Sequence, residues 1–144
     1  MNTQKNGRTG RCLCGEVTFA LTEDIDEVGV CHCEMCRRWA GAPWFAIHCK
    51  KPVSFDGEQH IVRFQSSDWA ERGFCGNCGT NLFYRLLASG EYILSPFTLD
   101  DQSELSFTGQ IFIDEKPEWY AFANETPTMT GAEVFAMYAP KEEG

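Results

Sequence analysis

The chain has 144 residues, a formal net charge of −9, and 11 Phe, 4 Trp and 4 Tyr. That is the length of one ordinary domain, enough to bury roughly two thirds of the unfolded surface and hold a core of its own. So acidic a composition argues against a nucleic-acid partner, which needs a basic face, and no run approaches the roughly 18 apolar residues of a membrane span.

Residues 1–9 read as a flexible N-terminus, polar and without an apolar leader. The expected compartment is therefore the cytoplasm, where thiols stay reduced and clustered cysteines mean metal more often than disulfide. Residues 15–21 (GEVTFAL) alternate apolar and polar as a half-buried strand does. Residues 28–30 make a short strand running into Cys31. Residues 34–40 suit one or two helical turns, with Gly41 as the stop signal. Strand patterns follow at 44–48, 53–55, 60–64, 71–75, 81–86, 92–97 and 110–113, and a short element at 135–138. Strands are short, turns are frequent, and no long helical period occurs. That pattern predicts an all-β or mostly β domain.

The 8 cysteines fall into groups. Cys12 and Cys14 form a C-x-C turn followed by Gly15, and Cys75 and Cys78 form C-x-x-C followed by Gly79. Two thiolates on one tight turn can reach one metal, about 2.3 Å from each sulfur for zinc. The glycine behind them permits the positive φ that turns backbone N–H groups toward sulfur. Two such turns complete a closed four-cysteine site, so Cys12, Cys14, Cys75 and Cys78 are expected to hold a structural zinc ion that closes a long loop.

Cys31, Cys33 and Cys36 then stand in one C-x-C-x-x-C knuckle. A structural zinc takes four protein ligands, a catalytic one three. Water, substrate, Cys49 or nothing could take the fourth position. The competing readings are a second closed site completed by Cys49, or a cluster without metal. Cys49 lies 13 residues on in an apolar stretch, where a lone cysteine usually packs as a small core residue. Three thiolates weaken zinc as a Lewis acid toward water and suit a fourth sulfur ligand. An incoming thiol loses its proton there, which points to thiol chemistry ahead of hydrolysis.

The stretches GRCLCGEVTF (10–19), CHCEMCRRWAGAP (31–43) and SSDWAERGFCGNCGTNLFYR (66–85), with IFIDEKPEWY (111–120), resemble the glutathione-dependent formaldehyde-activating family, which shares a domain with centromere protein V. The likeness spans about residues 10–131, a single domain, and leaves 132–144 as a C-terminal tail. It implies the zinc-containing β-tent fold of small antiparallel sheets with few short helices, a structural zinc on Cys12, Cys14, Cys75 and Cys78, and a catalytic zinc on Cys31, Cys33 and Cys36. It also implies a carbon–sulfur lyase, in which glutathione or a similar thiol, bound as thiolate, is joined to or released from a small carbonyl compound such as formaldehyde. One departure is Gln110, where the family's block opens with histidine.

Other residues carry weaker readings. Arg37 and Arg38 could grip a substrate carboxylate, as glutathione would offer, or offset the negative zinc–thiolate centre. His32, between two ligands, is expected to point away from the metal as a surface group or a hydrogen-bonding support. Trp39, Trp44 and Phe45 read as core more than pocket wall. His48 and His60 read as structural or exposed, and Arg72 as a support near Cys75. The alternative to an enzyme is a zinc-stabilised β-domain that binds a protein partner, which a site saturated by Cys49 would favour. A thioredoxin-like reductase lacks the expected βαβ context.

Overall fold

The structure, a computed structural model, describes residues 7–138. In chain order the elements are β1 (Thr9–Arg11), β2 (Thr18–Ala20), β3 (Glu27–Cys31), α1 (Glu34–Ala40), β4 (Trp44–Cys49), β5 (Ser54–Asp56), β6 (Ile61–Gln65), β7 (Ala70–Cys75), β8 (Asn81–Leu86), β9 (Tyr92–Leu94), β10 (Ser106–Ile111), β11 (Thr128–Met129) and α2 (Gly131–Tyr138). Short 3-10 turns at Glu58–His60, Pro96–Thr98 and Ile113–Glu115 fill the corners. The fold is mostly β with two short helices, as the patterning predicts. No helix among the described residues is long and apolar enough to cross a membrane.

The chain forms two compact units, 7–28 with 46–106, and 29–45 with 107–138. In the first, β1, β2 and β5 make an antiparallel sheet, with Gly10 opposite Phe19 and Phe19 opposite Phe55. Strands β6 to β9 form an antiparallel meander, and Ile47–Cys49 of β4 pair with β9. Val17, Leu21, Ile47, Leu82, Phe83 and Leu94 are buried in this unit. The rings of Phe55, Phe83 and Tyr92 meet at 4.8–5.5 Å, each pair contributing about 1 kcal/mol beyond its area. Gly10 is required here, because a Cβ would lie 2.2 Å from the Phe19 ring.

In the second unit β11, β10 and β3 are neighbours in that order. The β10–β11 pair is parallel, Gln110 opposite Thr128, which departs from the expected all-antiparallel sheets. Phe45, Phe107 and Phe122 pack edge to face at 5.2–5.7 Å, and Trp39 meets Trp44 at 5.4 Å. The core reading of these aromatics fits that packing.

The ends differ from the expected bounds. Residues 1–6 of the expected flexible N-terminus lie outside the described residues. Its last part is ordered: Thr9 opens β1, and Arg8 is buried, donating to the carbonyls of Asp101 and Ser103. Helix α2 occupies the start of the expected tail, and 139–144 lie outside the described residues.

Candidate metal centres

The first unit brings Cys12, Cys14, Cys75 and Cys78 together, with one sulfur from each within 4.8 Å of the others. The Cys12–Cys14 and Cys14–Cys75 sulfurs are 3.5 and 3.8 Å apart. A disulfide needs about 2 Å, whereas tetrahedral zinc–sulfur bonds of about 2.3 Å put sulfurs about 3.8 Å apart. The donor set and spacing therefore fit a closed four-thiolate zinc.

Both turns form as the glycine argument requires. Gly15 has φ +84° and Gly79 has φ +80°. The Gly15 N–H donates to Cys12 O, the Gly79 N–H to Cys75 O, and the Val17 N–H to the Cys12 sulfur at 3.4 Å. Two side chains that the sequence reading missed support the site. Asn77 Nδ2 donates to the Cys14 sulfur at 3.2 Å. Thr80 Oγ1 lies 3.2 Å from the Cys78 sulfur and accepts from the Leu13 N–H, tying the two turns together. That hydroxyl pulls the Cys78 thiol down to about 5, while burial pushes Cys75 up to about 11. Arg72 serves a different place: its Nε donates to Ser66 Oγ, and its guanidinium lies over the Tyr84 ring.

The second unit brings Cys31, Cys33 and Cys36 within the same 4.8 Å limit. Cys31 ends β3, Cys33 caps α1, and Cys36 lies in its first turn. The cap is local chemistry: extended Cys33 (φ −64°, ψ 155°) accepts the Cys36 N–H on its sulfur at 3.3 Å. Gly41, at φ 73°, closes the helix by donating to Arg37 O. Two neighbouring sulfurs, with burial added, push the Cys31 thiol strongly upward. Three sulfurs this close can ionise together only around a cation, so this set too fits a metal ion. Among the described residues no other Cys, His, Asp or Glu joins the cluster, Cys49 included.

His32 turns away from that cluster and is fully buried. Its Nε2 is 2.8 Å from Gln110 Oε1 and its Nδ1 is 2.7 Å from the Tyr120 hydroxyl. An amide oxygen only accepts, so Nε2 carries the hydrogen. Burial lowers the His32 pKa and raises that of Tyr120, keeping both neutral. Nδ1 must then accept from the hydroxyl. Gln110 Nε2 donates onward to Thr126 Oγ1 at 3.2 Å, which donates to Pro127 O at 3.0 Å. Gln110, the departure from the family's histidine, is thus the group that fixes this ring. No local pattern marked Tyr120 or Thr126.

A cavity of about 290 Å3 borders α1, lined by Glu34, Arg37, Arg38, Pro43, Trp119 and Tyr120 among others. Arg37 donates from Nε to His32 O at 2.8 Å and from Nη2 to Glu115 O at 3.2 Å. Among the described residues Arg38 meets only Glu34, at 3.1 Å, with its side chain 80% exposed. Trp119 is 82% exposed, the largest apolar surface of this rim. His48 and His60 lie elsewhere, 3.0 and 3.3 Å from Glu91 and Glu16.

The family model described as glutathione-dependent formaldehyde-activating enzyme matches residues 7–115, both cysteine clusters included. An uncharacterized lyase of Schizosaccharomyces pombe is 33% identical over 126 residues, 87% of this chain and 92% of that protein. A crystal structure of a Rhodobacter sphaeroides protein from structural genomics aligns with a TM-score of 0.55 over 69% of this chain and 99% of that one; at 22% identity it speaks to the fold alone. The chain belongs to the glutathione-dependent formaldehyde-activating enzyme family.

Proposed function

We propose that this protein is a zinc-dependent carbon–sulfur lyase that joins a thiol such as glutathione to a small carbonyl compound such as formaldehyde, or releases it. The observation that carries the reading is the three-cysteine cluster without a fourth donor among the described residues, at the start of a helix that borders a cavity. Cys31, Cys33 and Cys36 would hold the catalytic zinc, and Cys12, Cys14, Cys75 and Cys78 the structural one. Zinc in the open site lowers the pKa of a thiol that reaches it. The lyase relative and the family support the reaction class.

In the joining direction the sulfur–carbon bond forms, the carbonyl π pair moves to oxygen, and that oxygen takes the thiol proton. The reverse returns the hydroxyl proton and breaks the carbon–sulfur bond. Tyr120 is the group suited to that oxygen. Its own hydrogen is committed to His32 Nδ1, so its lone pairs are left to accept the hydroxyl of the adduct. Of the two arginines lining the cavity, Arg38 is the one available for a substrate carboxylate, because the Arg37 fork is held by two carbonyls. The absence of Cys49 from the cluster favours this reading over a protein-binding module. Clustered cysteines without a disulfide suit a cytoplasmic place.

The test is a titration of the cobalt-substituted protein with glutathione, following the visible and thiolate-to-metal bands. A change that saturates at one equivalent is expected. An unchanged spectrum at millimolar glutathione would mean that the site is closed or that the thiol is a different one, and would overturn glutathione as the substrate.

A further inference from the structure

Beside the cavity that borders α1, the chain is tied back on itself between residues 116 and 120. Lys116 Nζ donates to the carbonyl of Pro117 at 2.9 Å and to the carbonyl of Tyr120. An ammonium group has three N–H donors and no acceptor, so two of the three serve the backbone of its own loop. The same nitrogen lies 5.1 Å from the centroid of the Tyr120 ring, within cation–π range. Among the described residues Lys116 has no carboxylate partner. Fixing a lysine side chain costs more rotamer freedom than fixing most others. A half-buried lysine held in this way acts as a tie, not as a solvated surface charge.

The tie bears on two rim residues. Tyr120 is held at both ends, its carbonyl by Lys116 and its hydroxyl by His32 Nδ1. Trp119 leans on that fixed ring, edge to face at 5.0 Å, while the residue stays 82% exposed. The place of the indole therefore follows from Tyr120, and through Tyr120 from Lys116. A tryptophan can bury about 150–250 Å2 against a partner, so this one offers the cavity a large unused contact.

The next step rests on the reading of this cavity as the site of the thiol. The three cysteines then take the sulfur, and Arg38 a carboxylate. An indole suits neither group. It suits the uncharged chain and the peptide planes that a longer thiol carries between them. A short thiol has no such atoms to place on the ring. We infer that Lys116 is a positioning residue that holds Trp119 on the cavity rim, and that Trp119 determines specificity by favouring thiols with an extended, peptide-like chain behind the sulfur.

The experiment pairs two readouts on the full chain. The first needs no substrate: 15N relaxation of the Trp119 indole Nε1–H in the zinc-loaded protein. The indole should be ordered in the parent, mobile in Lys116→Met, and ordered again in Lys116→Arg, which keeps the cation and its donors. An indole as ordered in Lys116→Met as in the parent would refute the tie.

The second readout is thiol affinity in the cobalt-substituted protein. Trp119→Ala and Lys116→Met should each raise the half-saturation concentration of glutathione by about tenfold. That of 3-mercaptopropionate, shorter but still a carboxylate, should not change. The Lys116→Met/Trp119→Ala double variant should bind glutathione no more weakly than Trp119→Ala alone, because Lys116 acts through Trp119. Losses that add in the double variant, or equal losses for both thiols, would overturn the assignment. A parent whose indole is ordered but whose cobalt bands ignore glutathione would overturn the thiol reading, and the selection with it, while the tie stands.

Discussion

Tyr120 donates its hydroxyl hydrogen to Nδ1 of His32 across 2.7 Å, and Gln110 fixes which nitrogen is free to receive it. A buried histidine between two cysteines of the candidate metal cluster thereby becomes a support for a tyrosine on the cavity rim.

Tyr120→Phe removes that hydrogen and the acceptor oxygen together. Leaving Nδ1 unfilled should lower stability by about 1–2 kcal/mol, read by thermal unfolding. Turnover should fall by about tenfold to a hundredfold, with glutathione affinity in the cobalt titration unchanged. In the parent protein, 15N shifts of the His32 ring should report a neutral ring protonated at Nε2. A ring protonated at Nδ1 would sink the assigned polarity.

The two clusters should fail differently. Cys78→Ser removes one of the four cysteines that would hold a structural ion between the N-terminal turn and the β7–β8 turn, and the fold should depend on it. Loss of a metal ion and a stability drop of about 3 kcal/mol or more are expected. Cys33→Ser should release the other ion and abolish activity, while strand content by circular dichroism stays close to the parent's. Metal analysis and urea unfolding of both variants check this. Similar unfolding of the two would mean that the division into a structural and a catalytic ion is wrong.

What could be read from the sequence is what local chemistry decides. Helix α1 and its stop at Gly41 follow from a cap and a left-handed glycine within one short stretch, and the Gly15 and Gly79 turns from their own cysteine pairs. Strands β1 and β11 escaped, because strands of 3 and 2 residues exist only through partners such as Ala20 and Gln110. The partners of His32 lie 78 and 88 positions away, beyond any periodicity. Both cysteine sets could be grouped because ligand number and turn form constrain them. The occupation of Arg37 by two backbone carbonyls could not.

Arg37 and Arg38 are adjacent yet should respond oppositely. Arg37→Gln gives up the donations to His32 O and Glu115 O, at an expected cost of about 1–3 kcal/mol in stability. Arg38→Gln breaks one exposed pair and should change stability by less than about 0.5 kcal/mol. Its effect should fall on binding instead. Glutathione should lose affinity in this variant, and 2-mercaptoethanol, which has no carboxylate, should not. Equal losses for both thiols would remove Arg38 from carboxylate recognition.

Cys49 should behave as a buried core thiol, apart from the metal chemistry. It is fully buried in β4, and burial, with the Glu23 carboxylate second, pushes its pKa from 9.0 up to about 12. The folded value lies above the unfolded one. The unfolded chain therefore loses this proton first, so the contribution to stability is whole below pH 9.0 and is lost as pH rises from there toward about 12. Cys49→Ala should be less stable than the parent at neutral pH and should close that gap across this window. In the native parent at a pH below 9.0, iodoacetamide should leave Cys49 unmodified, and in urea it should label it, read by peptide mass mapping. Labelling in the native state would mean that the thiol reaches solvent or ionises far more readily than its packing in β4 allows.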